Sequence, residues 1–240
     1  MIIMQKRNKS EIDHFTKLDH IWWGAKTVAG QKRYDRRFEL FKKRCKPSKK
    51  RILEIGCGDG EFTRRLIDLQ AEIVGIDITP KVIEKAKKEF KKKKVKFVVG
   101  NIEKLKYRSN TFDIVCGISI LHHVDTEKSL QEAYRVLKKD GQLFFSEPNL
   151  LNPHILLGLN IPWLRKKMEY SPDEVALIRW KMVKMLRDIG FSFVEVVNYD
   201  FLHPKTPSGL INIVEKASDS LEKIPLVKEI SGSLIIYARK

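Results

Sequence analysis

From Lys50 onward, short runs of β-branched and aromatic residues alternate with stretches whose apolar positions recur every three to four residues. Such alternation marks βαβ units, in which each strand is buried on both faces of a parallel sheet. The pattern predicts strands at Arg51–Ile55, Ile73–Asp77, Val95–Val99, Phe112–Gly117, Gln142–Ser146, Phe193–Asn198 and Ser233–Arg239. Leu130, Ala133, Tyr134 and Leu137 fall at helical spacing, and Val175, Ile178, Met182, Met185 and Ile189 predict a second helical face. Before the first strand, Lys17 to Lys43 reads as helical, with Tyr34, Phe38 and Phe41 on one face and Arg37 sharing it. The last two strands break the rhythm. A long segment with Pro204, Pro207 and a helix near Leu210–Leu221 separates them, so they are expected to form an antiparallel edge.

No repeat and no Gly/Ser- or Pro-rich linker divides the 240 residues, which predicts one doubly wound, Rossmann-like α/β domain over residues 46–240. Residues 1–45 read as an N-terminal helical lid, and insertions are expected at about 149–170 and 200–230. The first insertion is apolar and contains Asn152-Pro153-His154 and Ile161-Pro162-Trp163. Open α/β sheets bind ligands at the C-terminal ends of their strands, so the lid and this insertion are expected to cover the site.

Composition narrows the function classes. No apolar run approaches the roughly 18 residues of a membrane span, and Met1 to Lys9 lacks the apolar stretch of a signal peptide, which points to the cytoplasm. Cys45, Cys57 and Cys116 are widely spaced and odd in number, so neither disulfides nor a thiolate zinc site is expected, and no metal is assigned. The net charge of +17 suggests nucleic acid until it is mapped. Residues 1–51 carry 16 basic against 5 acidic residues and residues 81–108 carry 12 against 3, so the basicity is local. The Lys91–Lys94 run is expected to close a helix, where positive charge favours the terminal carbonyls.

The strongest chemical signal is Leu53-Glu54-Ile55-Gly56-Cys57-Gly58-Asp59-Gly60, between an apolar strand and a helical stripe of Phe62, Leu66 and Ile67. Glycine allows the tight turn and a close approach of ligand to backbone. A dinucleotide fingerprint needs a third glycine at position 61, which is Glu61. Glu54, Asp59 and Glu61 would oppose a pyrophosphate at the helix N-terminus but suit a ligand bearing an ammonium and a sulfonium. Asp77 ends the second strand about 20 residues on, where an acid can accept from both ribose hydroxyls. S-adenosylmethionine fits both features.

These residues resemble the class I S-adenosylmethionine-dependent methyltransferase superfamily, in particular the small-molecule branch similar to ubiquinone-type methyltransferases. Leu53–Gly60 resembles its first motif, Asp77 its ribose acid, Gly100-Asn101-Ile102 its adenine-contacting turn, and Phe112–Val115 and Leu137–Glu147 its fourth and fifth strands. Asn101 stands where the family more often has Asp, which weakens the adenine contact or moves it to the Ile102 amide. The resemblance implies a seven-stranded, mostly parallel sheet with a reversed last strand. It also implies a cofactor site drawn from Glu54, Gly56, Cys57, Gly58, Gly60, Asp77, Ile78, Asn101, Ile102 and Ile118.

Leu121-His122-His123-Val124 follows the fourth strand, where a histidine can accept the proton of a hydroxyl or ammonium nucleophile. Glu147, ending the fifth strand, is placed to orient such a base or bind the acceptor; the His pair can equally cap a helix, and Glu147 bind only loop amides. Arg37 needs a buried partner, either the cofactor carboxylate or an acid elsewhere in the chain. Trp22-Trp23 and Tyr34 resemble the aromatic lid of the same branch. The expected activity is methyl transfer to a small acceptor, to which Ile155–Leu164 gives a lipid-like or ring-containing cast. Two rivals remain, an RNA methyltransferase and a cofactor-binding module without catalysis. The first lacks the Asn/Asp-Pro-Pro-aromatic motif and a placed cysteine nucleophile, since Cys57 sits in the glycine loop.

Overall fold

The computed structural model describes residues 7, 10–13, 16, 25–168, 170, 171 and 174–240. A long helix α1 (Val28–Cys45) precedes strand β1 (Arg51–Ile55), and the chain then alternates through α2 (Thr63–Leu66), β2 (Glu72–Asp77), α3 (Pro80–Glu89) and β3 (Val95–Val99). β4 (Phe112–Ile118), α4 (Thr126–Val136) and β5 (Leu137–Pro148) follow. After β5 come α5 (Pro153–Asn160), α6 (Pro162–Lys167), α7 (Arg179–Ile189) and β6 (Phe193–Tyr199). The chain closes with α8 (Ile211–Leu221), α9 (Pro225–Lys228) and β7 (Ser233–Arg239). The sheet order is β3-β2-β1-β4-β5-β7-β6, with β7 antiparallel to both neighbours and the first five strands parallel. The doubly wound sheet with a reversed last strand is therefore present, and β6 is its edge.

Consecutive apolar residues in each central strand serve opposite faces, as a period of two requires. Leu53, Val74, Val115, Phe145 and Ile236 join α4 and α7 in one core, while Ile52, Ile73, Ile114, Phe144 and Ile235 join α1 and α2 in the other. α1 belongs to that second core. The Phe41 ring meets Phe144 edge-on at 5.4 Å, so residues 28–45 of the expected lid are built into the fold. Residues 17–24, including Trp22-Trp23, lie outside the described residues.

Three expected boundaries move. The helix predicted from Val175 starts at Arg179, because Leu177 bridges Asn149 just past the end of β5 and Ile178 is extended. β5 begins at Leu137 rather than Gln142, with a register shift beside Phe112 and Asp140 in the left-handed region at φ 61°. Lys91–Lys94 lies beyond the end of α3, fully exposed in the following turn, so the last-turn cations are Lys87 and Lys88 instead. The three cysteines are buried and free. No helix among the described residues is long and apolar enough to cross a membrane.

The two insertions are tied together by one buried side chain. Asn149 donates through Nδ2 to the carbonyls of Glu229 at 2.8 Å and Ser231 at 2.9 Å. Phe144 carries the α1 ring contact into the sheet. Phe144→Ala should cost about 3–5 kcal/mol through lost burial and the cavity left behind. Urea unfolding followed by circular dichroism should show the midpoint falling accordingly.

Candidate active site

β1 and β4 are neighbours whose following connections leave in opposite directions, so the crevice at their C-terminal ends stays open. The glycine loop enters it from β1. Gly56 and Cys57 both donate backbone N–H bonds to the Ile76 carbonyl, at 2.8 and 3.1 Å, fixing the loop on β2. Gly56 and Gly58 hold φ of +67° and +52°, a region that disfavours other residues. A side chain at Gly56 would strike Ile120, whereas at Gly58 it would meet nothing within 4 Å. Gly58 therefore presents bare backbone to a ligand.

Asp77 closes the opposite wall. Its Oδ2 accepts from Gly58 N–H at 3.0 Å and its Oδ1 from Thr79 N–H at 2.9 Å, and the Thr79 side chain adds a further hydrogen bond. Burial raises its pKa, and the two amides pull it back. Glu54 lies deeper, accepting from Thr63 Oγ1 at 2.5 Å; burial pushes its carboxyl up to about 8 against that hydrogen bond, with Asp77 adding to the rise. Asn101 spends its Oδ1 on the Glu103 amide at 2.7 Å. The cavity between these groups measures about 140 Å³. Of the expected cofactor residues, Glu54, Gly56, Cys57, Gly58, Asp77, Ile78, Asn101, Ile102 and Ile118 line it. Gly60 does not: its place is against Phe90, 2.5 Å from where a Cβ would sit, and it shapes the turn from behind. The Cys57 thiol is held well above its usual pKa by burial and by Glu54 and Asp77.

A second cavity of about 330 Å³ adjoins the first and shares Ala25, Tyr34, Ser119 and His123 with it. Arg37 lines this cavity rather than the first. It is buried, donates through Nε to Tyr199 OH at 3.0 Å and lies 5.2 Å over the Tyr34 ring. Burial opposes its charge, yet Tyr199, Tyr34 and Asp200 together keep its pKa above the ordinary value. Among the described residues no carboxylate forms an ion pair with it. Of its two expected partners, an acid of this chain is thereby not the one found.

The histidine pair closes the second cavity from β4. Glu147 Oε1 accepts from the amides of Ile120 and Leu121, both at 3.0 Å, while Oε2 lies 2.7 Å from His122 Nδ1. As a carboxylate Glu147 accepts throughout, which puts the ring proton on Nδ1 and leaves the Nε2 lone pair for a ligand. Glu147 itself lines neither cavity and sits behind His122. His122 Nε2 faces Glu174 Oε1 at 3.8 Å. His123 Nδ1 lies 3.2 Å from Glu11 Oε2, and burial together with His122 lowers its pKa despite Glu11 and Glu174.

Sequence reading missed Glu11 and Glu174. Glu174 arrives on the loop after the first insertion, where Arg165 donates to its carbonyl at 3.2 Å and Val175 N–H donates to the His122 carbonyl at 3.2 Å. Burial raises the Glu174 pKa, partly offset by His123. Ligand atoms of His122, His123 and Glu174 lie within 4.8 Å of one another. Two imidazoles and a carboxylate can hold a divalent transition metal or pass a proton, and Glu147 behind His122 serves either arrangement.

Comparison with known proteins accords with this geometry. Residues 53–145 match the family model for a methyltransferase domain. The ubiquinone biosynthesis O-methyltransferase of Pelagibacter ubique is 35% identical over 162 residues, covering 61% of this chain and 67% of that protein. The mitochondrial enzyme of the same name from Schizosaccharomyces pombe is 31% identical over 160 residues, and the chain spans 58% of its length. A Thermotoga maritima methyltransferase structure shares the fold, with TM-score 0.70 and 21% identity over 96% of this chain and 98% of that one. With the glycine loop, the acid after β2 and the doubly wound sheet in place, the chain belongs to the class I S-adenosylmethionine-dependent methyltransferases, on the side of the ubiquinone-type enzymes.

Proposed function

We propose that the protein methylates a hydroxyl oxygen of a small acceptor held in the second cavity, with His122 as the general base. The observation that carries this reading is the Glu147–His122 pair, held in the wall of a cavity that borders the cofactor crevice. The names of the 35% and 31% identical relatives, both O-methyltransferases, favour oxygen over nitrogen.

The residues of the first cavity fit the family cofactor. Asp77 would accept from the ribose hydroxyls, Asn101 Nδ2 or the Ile102 amide would meet the adenine, and Gly58 would let the ligand lie against backbone. Glu54 is the acid for its ammonium group and Arg37, reaching from the neighbouring cavity, the cation for its carboxylate. Bound there, S-adenosylmethionine supplies a methyl carbon on a positively charged sulfur. His122 takes the acceptor's proton at Nε2, and Glu147 stabilises the imidazolium that results. Glu174 Oε1 lies 3.8 Å from that nitrogen in the wall of the same cavity. Alignment of oxygen and methyl carbon contributes the remainder.

Three outcomes follow. Asp77→Ala should weaken binding of S-adenosylhomocysteine by roughly 1–3 kcal/mol in calorimetry, the value of lost charged hydrogen bonds. His122→Ala should lower turnover by about 10²–10⁴-fold with cofactor affinity nearly unchanged, whereas a loss of cofactor binding would place the residue in the wrong cavity. The Glu54 carboxyl, at about 8, is mostly protonated at neutral pH in the folded protein and ionised in the unfolded chain. Its contribution to stability therefore falls as pH rises from the ordinary carboxyl range towards 8 and is flat above it. An ammonium docking beside it stabilises the ionised form, so cofactor binding at pH 7 should release a proton. Heats measured in buffers of different ionisation enthalpy should show that release, and Glu54→Gln should abolish it.

A further inference from the structure

The part of the second cavity that is not shared with the cofactor crevice includes Arg33, His154, Asp200 and His203 in its wall. Arg33 reaches it from α1, where its Nε donates to Asp200 Oδ2 at 2.6 Å and its Nη2 to Ser233 Oγ at 3.2 Å. Asp200 is thereby satisfied, because its other oxygen accepts from the Leu202 amide at 3.0 Å. Arg33 is not: among the described residues no acceptor meets its Nη1. His203 presents a second donor of this kind. Its Nδ1 accepts from the Lys205 amide at 3.1 Å, which puts the ring proton on Nε2, and no acceptor stands there among the described residues. The His154 ring meets it edge-on at 5.2 Å, one ring from each insertion. Burial, His154, Arg33 and Lys205 lower the His203 pKa against Asp200 alone, so the cations around this ring outnumber the acids.

An apolar ligand end pressed against this wall would take water from both donors and return no acceptor. Glu174, the remaining acid in the cavity wall, stands beside His122 and His123, and burial raises its pKa. Resting on the proposal that this cavity holds the acceptor, we infer that the acceptor carries a carboxylate, which Arg33 Nη1 and His203 Nε2 receive while its hydroxyl lies towards His122. Two donors on two side chains match the two oxygens of a carboxylate, and the guanidinium makes one of the bonds charge-assisted. A phosphate, with at least three oxygens to satisfy, is served less well by the same pair. Because His154 and His203 come from different insertions, the selecting wall exists only where the two insertions meet.

Calorimetry on the full chain loaded with S-adenosylhomocysteine tests it, with 3-hydroxybenzoate and 3-hydroxybenzamide as probes of like shape that differ in charge. The acid should bind about ten-fold or more tightly than the amide, as a hydrogen bond to a charged group is worth. His203→Ala and Arg33→Lys should each lower the acid's affinity by roughly five-fold or more and leave the amide's within about two-fold. Arg33→Lys keeps a cation beside the buried Asp200 and His203 is exposed, so circular dichroism and S-adenosylhomocysteine affinity should match the parent. Equal binding of acid and amide by the parent would overturn the inference, as would no binding of either at millimolar concentration, or an undiminished preference in both variants. Inorganic phosphate displacing the acid more effectively than acetate does would overturn the choice of carboxylate. Affinity is read here without turnover, so an acid that binds with this preference and yet accepts no methyl group sinks the proposed reaction and leaves the carboxylate site standing.

Discussion

A parallel sheet whose crossovers run one way from β1 to β2 and β3, and the other way from β4 onward, cannot cover the ends of both central strands. Every functional feature of this protein follows from that constraint. The glycine loop leaves β1, Asp77 ends β2, Asn101 follows β3, the His pair follows β4 and Glu147 ends β5, so five separate segments converge on one rim. Chemistry is brought together by topology, and no pair of these residues needs to be close in sequence.

The rim is held by carboxylates that bind backbone. Asp77 takes the amides of Gly58 and Thr79, and Glu147 those of Ile120 and Leu121, so each acid fixes a loop before it meets any ligand. The two differ in what remains. Asp77 lines the first cavity, whereas Glu147 spends its second oxygen on His122 and stays hidden. One acid is thereby suited to recognition and the other to holding a base in one tautomer.

The strands were legible because buried parallel strands leave continuous apolar runs, and the glycine loop because its residues are restricted by backbone conformation. Those signals are local. Helix α7 was read four residues too long, since Val175 and Ile178 keep helical spacing while the backbone between them is drawn along the end of β5, where Leu177 pairs with Asn149. Glu174 was invisible for the same reason: its position depends on Arg165 gripping the loop carbonyls, which no spacing encodes. Arg37 was recognisable as a buried cation in need of a partner, but only the coordinates show Tyr199 and Tyr34 as the groups around it. Its side chain belongs to the boundary between the cavities, a location that a linear pattern does not carry.

The amide of Asn149 has a wider consequence. Both of its N–H bonds go to carbonyls of the second insertion, while the residue itself opens the first, so neither loop has a complete hydrogen-bond set without the other. Grafting one of them from a relative would orphan a buried amide or two carbonyls, whereas transferring both preserves the joint. The two loops are thus one joint in this scaffold, and redesign has to move residues 149–170 and 200–232 together.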